Sequence, residues 1–374
     1  MGRKQPPDFR KEEVNNIMQR WRAADSCSLV GVGSVGKSNL LQHLADHDTH
    51  KAFLNVNNPD EFKAIIIDPA LMGPLPSGEN SDQIRCWAGY ELMMHRLFMA
   101  FYPFDMLGRE DAKRFYEAYQ SLQDGTNPLY AYMGLRYFEL GLDFFMRRGV
   151  RIVFMFDEFE DLLKQMPVKF FQTLRGLRDA NKRQLSYLTF TRSSLPVLVD
   201  QFDIPALEIE PFVELFTDNL LYVGPYNQTD ARRMVENLMG RNQKSYPEEV
   251  VRFLLDSTGR YAGLLRSAFR ALDKIGELDK SSLMNDEALR RLAKQRAIRE
   301  EVRTLWHSLT AVEKYVLRAV AEVGEYEDSA GARQALEILV QKRLVRTDRT
   351  GNRDLVIQPP LFRLFVESNP GDDD

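Results

Sequence analysis

The stretch "LVGVGSVGKSNLLQHLA", residues 29–45, constrains this chain more than any other. It passes from an apolar run through a glycine-rich turn into a helical pattern. Gly31, Gly36, Lys37 and Ser38 fit G-x-x-x-x-G-K-[ST], with a further glycine, Gly33, inside the loop. Glycines let the backbone N–H groups of Val32, Gly33, Ser34 and Val35 turn inward on an anion, and the helix that follows points its positive end at the same charge. Lys37 is placed to reach the outer phosphates of a nucleotide, Ser38 offers a hydroxyl to Mg²⁺, and Asn39 follows on the first helical turn. The strand-to-helix context separates this match from a chance one.

Two further segments carry chemistry. In "GVRIVFMFDEFEDLL", Ile152 to Phe156 are apolar without alternation, as in a strand buried on both faces of a parallel sheet. Such a strand presents Asp157 at its C-terminal edge to hold Mg²⁺ and Glu158 to polarise an attacking water. A later strand, "LSYLTFTR", ends in Thr191 and Arg192, where a guanidinium can offset charge that develops on a phosphate. The acid pair, rather than a lone aspartate, points to hydrolysis.

Around these pieces the chain alternates strand and helix. "FRKEEVNNIMQRW" reads as a helix and "FKAIIIDPA" as a strand bounded by the turn signals Asn-Asn-Pro and Met-Gly-Pro-Leu-Pro. A long helix is expected at "QIRCWAGYELMMHRLFMAFY", then a mostly helical segment from Pro103 to Arg148 with a turn at "DGTNP". "VKFFQTLRGLRDANKRQ" is a helix with a basic end, and "PALEIEP" is expected as a fifth strand. This pattern predicts a parallel, doubly wound α/β sheet. Beyond residue 212 helices follow one another, the last of them "NDEALRRLAKQRAIREEVRTLWHSL". From Thr310, two helices precede "LVRTDRTGNRDLVIQPP", read as a strand, a Gly-Asn turn and a strand, so this region suggests a winged helix-turn-helix; "GDDD" ends as a solvated tail.

With the three pieces in this order, the chain resembles the P-loop ATPases of the AAA+ and STAND group. Phe9, Arg10 and Glu13 are similar to that group's lead-in "F-x-G-R-x-x-E-L", without its glycine. "TFTR" is similar to its sensor strand, "LLYVGPYNQTDARRMVENLM" to the step into its lid, and "STGRYAGLLRSAF" to the lid's "G-G-x-P-x-L-L". Ala262 stands where that motif has proline and Arg260 replaces its second glycine, so Arg266, one turn on, is the candidate second sensor. The resemblance implies an α/β, parallel-sheet P-loop NTPase core of ASCE/AAA+ type over 1–212, an all-α lid bundle over 213–300 and a winged-helix domain over 301–374. It implies ATP and Mg²⁺ as cofactors, with turnover that is slow or stimulated by a partner.

Composition narrows the rest. A net charge of −4 excludes a global polycation, so any DNA contact must come from a local patch. Two cysteines give no disulfide framework and no metal spacing, and no apolar run reaches membrane-spanning length or forms a signal peptide. A soluble, cytoplasmic protein is expected. His43, His47 and His50 are read as a polar helix end rather than a metal site, and Arg175, Arg178 and Arg183 as surface charge ahead of an intersubunit arginine finger. Beside a nucleotide-binding scaffold without hydrolysis, two function classes remain. One is a regulatory ATPase that moves against a separately encoded protein partner or assembles as a homo-oligomer. The alternative is a DNA-acting ATPase, similar to origin-recognition or transposition-regulator proteins, that uses Lys342, Arg343, Arg346, Arg349 and Arg353 on phosphates.

Overall fold

The apolar run ahead of Asp157 forms a central strand. The computed structural model describes residues 4–73, 75, 81–124, 129–272, 286–323, 326–347 and 355–368. In chain order the strands are β1 (Cys27–Val30), β2 (Phe62–Ile67), β3 (Arg151–Phe156), β4 (Leu185–Thr191), β5 (Leu220–Tyr222), β6 (Val345–Thr347) and β7 (Leu355–Ile357). The first five make one sheet in the order β2-β3-β4-β1-β5. Parallel register runs from Phe62 opposite Arg151 to Ile67 opposite Phe156, and from Ile152 opposite Leu185 to Phe156 opposite Thr189.

The chain divides into two compact units, one of residues 1–29 and 38–221, the other of 30–37 and 222–374. In the first, both faces of the sheet are covered, which is why its strands lack alternation. One face presents Ile65, Ile67, Phe154, Phe156 and Tyr187 to a core shared with helices Ser81–Phe101, Gly108–Gln123 and Tyr130–Met146, all inserted between β2 and β3. Phe101 and Phe145 stack there with centroids 4.0 Å apart. On the other face Phe62 meets Trp21 of helix Lys11–Arg22 at 5.6 Å and the His50 ring at 4.7 Å. Cys27 and Cys86 are both buried free thiols, and burial pushes Cys27 up to about 12.

Among the described residues, the second unit carries a series of helices between Gln228 and Gln341, then the antiparallel pair β6–β7 and a last helix, Pro360–Ser368. The expected 213–300 and 301–374 segments both lie in this unit from Tyr222 on. No helix among the described residues is long and apolar enough to cross a membrane.

The structure corrects several sequence expectations. "PALEIEP" is not a strand but helix Ala206–Val213, and the fifth strand is Leu220–Tyr222. Its alternation misleads, because Leu207 is 85% exposed while Ile209 and Phe212, three apart, are buried. The helix expected over residues 285–309 is two, Asp286–Ala293 and Arg296–His307, parted at Gln295, whose extended backbone caps the second. The histidines are not a solvated helix end. The helix Lys37–Ala45 stops, Asp46 caps a new one at His47, and His43 and His50 are buried. The "DGTNP" turn beyond Asp124, much of the Met-Gly-Pro-Leu-Pro turn, the Gly-Asn turn, Arg349, Arg353 and the "GDDD" tail lie outside the described residues.

Candidate functional site

The glycine-rich segment leaves the end of β1. Gly31, Val32 and Val35 are buried, Gly33, Ser34, Gly36, Lys37 and Asn39 half-buried, and Ser38 exposed on the first turn of helix Lys37–Ala45. Gly36 adopts φ +88°, a conformation costly for any residue with a side chain, and an added Cβ would stand 2.7 Å from the Tyr226 hydroxyl. Ser34 also sits at positive φ, +65°. Its carbonyl accepts a hydrogen bond from the Gly263 N–H at 3.0 Å. Ala262, at the position where the resembled motif has proline, lies beside Gly36. A small residue at 262 and none at all at Gly263 allow this close approach: a Cβ on Gly263 would meet the Ser34 hydroxyl at 2.6 Å. Arg266, one turn further along helix Ala262–Ala271, is exposed.

A residue with no sequence signal joins this loop. The Ser34 hydroxyl donates to the carboxylate of Glu301, on helix Arg296–His307, and the same carboxylate accepts from Ser267 at 3.4 Å.

The acid pair follows β3. The Asp157 N–H donates to the Ile67 carbonyl at 2.9 Å, which holds it in register with the end of β2. Its own carboxylate accepts from the Glu158 N–H at 2.9 Å. Glu158 has φ 42°, ψ 51°, a left-handed conformation that costs on the order of 1 kcal/mol for a side-chain-bearing residue and that clusters at functional turns. Helix Phe159–Gln165 starts at once.

Arg192 follows β4, between the two. Its guanidinium lies 3.7 Å from the Glu158 carboxylate, with both side chains about half exposed at 47% and 40%. Its backbone N–H donates to the Glu160 carboxylate, which is 92% withdrawn from solvent at 8% exposure. Glu160 is a second contributor that the sequence reading passed over, since an acid in a first helical turn is ordinary. Thr191 stands apart from expectation: it is buried, and its hydroxyl donates to the Leu29 carbonyl at 3.4 Å, so it ties β4 to β1.

The basic cluster at the far end is thinner than the sequence suggests. Lys342 is not a surface cation. It is 1% exposed, its ammonium donates to Glu313 at 2.6 Å, and burial lowers its pKa. Glu313 also caps its own helix by accepting from the Thr310 N–H at 2.8 Å. Arg343 and Arg346 are exposed. Arg175 and Arg178 are half-buried and pair with Asp179, Arg175 at 2.8 Å.

A phosphate-loop motif between strand and helix, in a parallel sheet where β4 separates that strand from the one bearing the acids, gives the arrangement of a P-loop α/β fold. No family model and no curated protein matches the chain. Among solved structures it is similar to the Walker-type ATPase PABY2304 of Pyrococcus abyssi, at 16% identity and TM-score 0.49, over 96% of this chain and 95% of that one. It is also similar to the Aeropyrum pernix Orc1 protein, solved in complex with DNA, at 15% identity and TM-score 0.43, over 97% and 92%. The Thermotoga maritima RuvB Holliday junction branch migration motor aligns at 10% identity and TM-score 0.40, over 95% and 93%.

Proposed function

We propose that this chain binds and hydrolyses ATP and uses the nucleotide state to move its C-terminal region, as a lid over 213–300 and a winged helix over 301–374, against a target. One observation carries the reading. The phosphate loop after β1, Arg192 after β4 and Asp157-Glu158 after β3 all leave the same edge of one parallel sheet. Ligands of open α/β sheets bind at that edge.

The residues fit ATP and Mg²⁺. Gly36 at φ +88° and Ser34 at φ +65° turn the loop backbone tightly, and the Ser38 hydroxyl and Asp157 carboxylate are the hard oxygen donors Mg²⁺ prefers. When bound, the magnesium nucleotide supplies a high-energy phosphoanhydride and an electrophilic γ-phosphorus. Lys37 and the loop N–H groups hold the phosphate charge. Glu158 orients a water and takes up its proton on the carboxylate, and Arg192 offsets the charge that develops on the phosphate oxygens. Arg266 is proposed as a further phosphate contact.

Lys37→Ala is expected to abolish ATP binding. Glu158→Gln is expected to keep binding while losing turnover by about a hundredfold or more. Native-affinity binding by the Lys37→Ala protein overturns the reading.

Two targets are in view. Duplex DNA is supported by the exposed Arg343, just before β6, and Arg346 within it. A protein partner or a second copy is supported by helix Ala330–Gln341, a poor base-reading element: Arg333 is engaged by Asp328 at 3.3 Å and the exposed Glu337 repels phosphate. DNA affinity that falls steeply with salt, and is lost in an Arg343→Glu/Arg346→Glu protein, selects DNA. ATP-dependent self-association or protein capture without DNA affinity selects the other.

A further inference from the structure

Helices Asp286–Ala293, Arg296–His307 and Pro360–Ser368 border a cleft of about 680 Å³. Its accessible apolar floor is Leu364 and Phe365, both half-buried, laid over Ile298, Val302 and Leu361, which are at most 2% exposed. Its rim is cationic. Arg290 and Lys294, one turn apart, and Arg299 on the next helix are all exposed.

Among the described residues the rim charges have no acidic partner. Arg291 and Arg296, on the same helices, pair with Glu287 and Glu300, whereas Arg290, Lys294 and Arg299 have no ion pair among the described residues. The acid on the lip, Glu367, is taken by Arg363 at 3.4 Å. Like charges gathered without counter-ions raise the energy of the free surface, and an anionic ligand relieves it. The apolar floor adds a second demand. A nucleic-acid backbone offers charge but no apolar side chains to seat there, whereas an acidic amphipathic segment offers both.

We propose that this cleft docks an acidic amphipathic segment of a partner protein, with its apolar side chains on the floor and its carboxylates on Arg290, Lys294 and Arg299. The site is separate from the phosphate loop and does not depend on the nucleotide reading.

The test uses the full chain and a labelled synthetic helix, with leucines at i, i+3, i+4 and i+7 and glutamates elsewhere, read by fluorescence anisotropy. Saturable binding at roughly micromolar to high-micromolar Kd is expected, weakening with salt. Arg290→Glu/Lys294→Glu, and separately Arg299→Glu, are surface changes expected to weaken it about tenfold while leaving thermal unfolding unchanged. A control helix with serine for leucine is expected to bind about tenfold less well. The proposal is overturned if the acidic helix does not bind. It is equally overturned if the serine control or duplex DNA binds as tightly and loses affinity equally in the variants, since the rim is then a plain polyanion surface.

Discussion

The hydroxyl of Ser34, inside the phosphate loop, donates to the carboxylate of Glu301, 267 positions later in the chain. The loop proposed to bind phosphate therefore carries a carboxylate at its shoulder. The helix that supplies it, Arg296–His307, also floors the basic cleft through Ile298 and Val302. One carboxylate within about a Debye length of a triphosphate weakens binding by on the order of 1 kcal/mol. Glu301→Gln keeps an acceptor for Ser34 and removes the charge, so ATP affinity should rise roughly fivefold at low salt and the gain should shrink as salt is added. Titration calorimetry at two ionic strengths measures this. Unchanged or weaker binding in the Gln protein contradicts it.

Glu160 governs Arg192 through the backbone rather than through its guanidinium. Truncating it frees the turn after β4 and leaves the phosphate loop intact. Glu160→Ala is expected to lower kcat by about tenfold with KM for ATP little changed, the pattern of a lost transition-state contact. Glu160→Gln, which retains an acceptor, should recover most of the rate. A rise in KM with kcat unaltered would place Glu160 in ground-state binding instead.

What the sequence discloses here follows the range of the interactions. Strands β1, β3 and β4 are local patterns, each a short apolar run closed by a turn, and are legible in the sequence. Leu220–Tyr222 is not, since three half-buried residues offer no period to read. The helix Pro360–Ser368 hides behind Gln-Pro-Pro, which signals a break, although proline also suits a first helical turn. The settings of Glu301 and Lys342 are not legible in sequence, for one reason. Each has an ordinary surface identity in sequence, and only the packing of distant helices gives Glu301 its serine and buries Lys342 against Glu313.

That buried pair yields a stability prediction. Lys342 and Glu313 are 1% and 2% exposed, and Glu313 divides its two oxygens between the ammonium and the Thr310 N–H. Removing the carboxylate leaves a buried cation without its counter-charge, which typically costs about 3–5 kcal/mol. Glu313→Ala should therefore lower the denaturation midpoint strongly. Combining it with Lys342→Met should restore most of the loss, because an apolar replacement of a buried pair is often close to neutral. If the double variant is no more stable than the single, the cost lies in the lost helix cap and not in the stranded charge.

His50 is expected to contribute to the acid side of the stability profile. Its ring is packed edge-on against Phe62 at 4.7 Å and its Nε2–H donates to the Leu44 carbonyl at 2.6 Å. Burial holds the imidazole well below its ordinary range, at about 4, despite the opposing pull of that carbonyl. A neutral buried histidine resists protonation when folded, while in the unfolded chain it accepts a proton near pH 6.5. Its contribution is thus complete above about pH 6.5 and declines as pH falls toward 4. A shift of this size corresponds to on the order of 3 kcal/mol across that window. Denaturant midpoints of the native chain should fall through this range, and His50→Gln, which does not titrate there, should fall less steeply. Equal slopes for the two proteins would assign the acid sensitivity to carboxylates elsewhere.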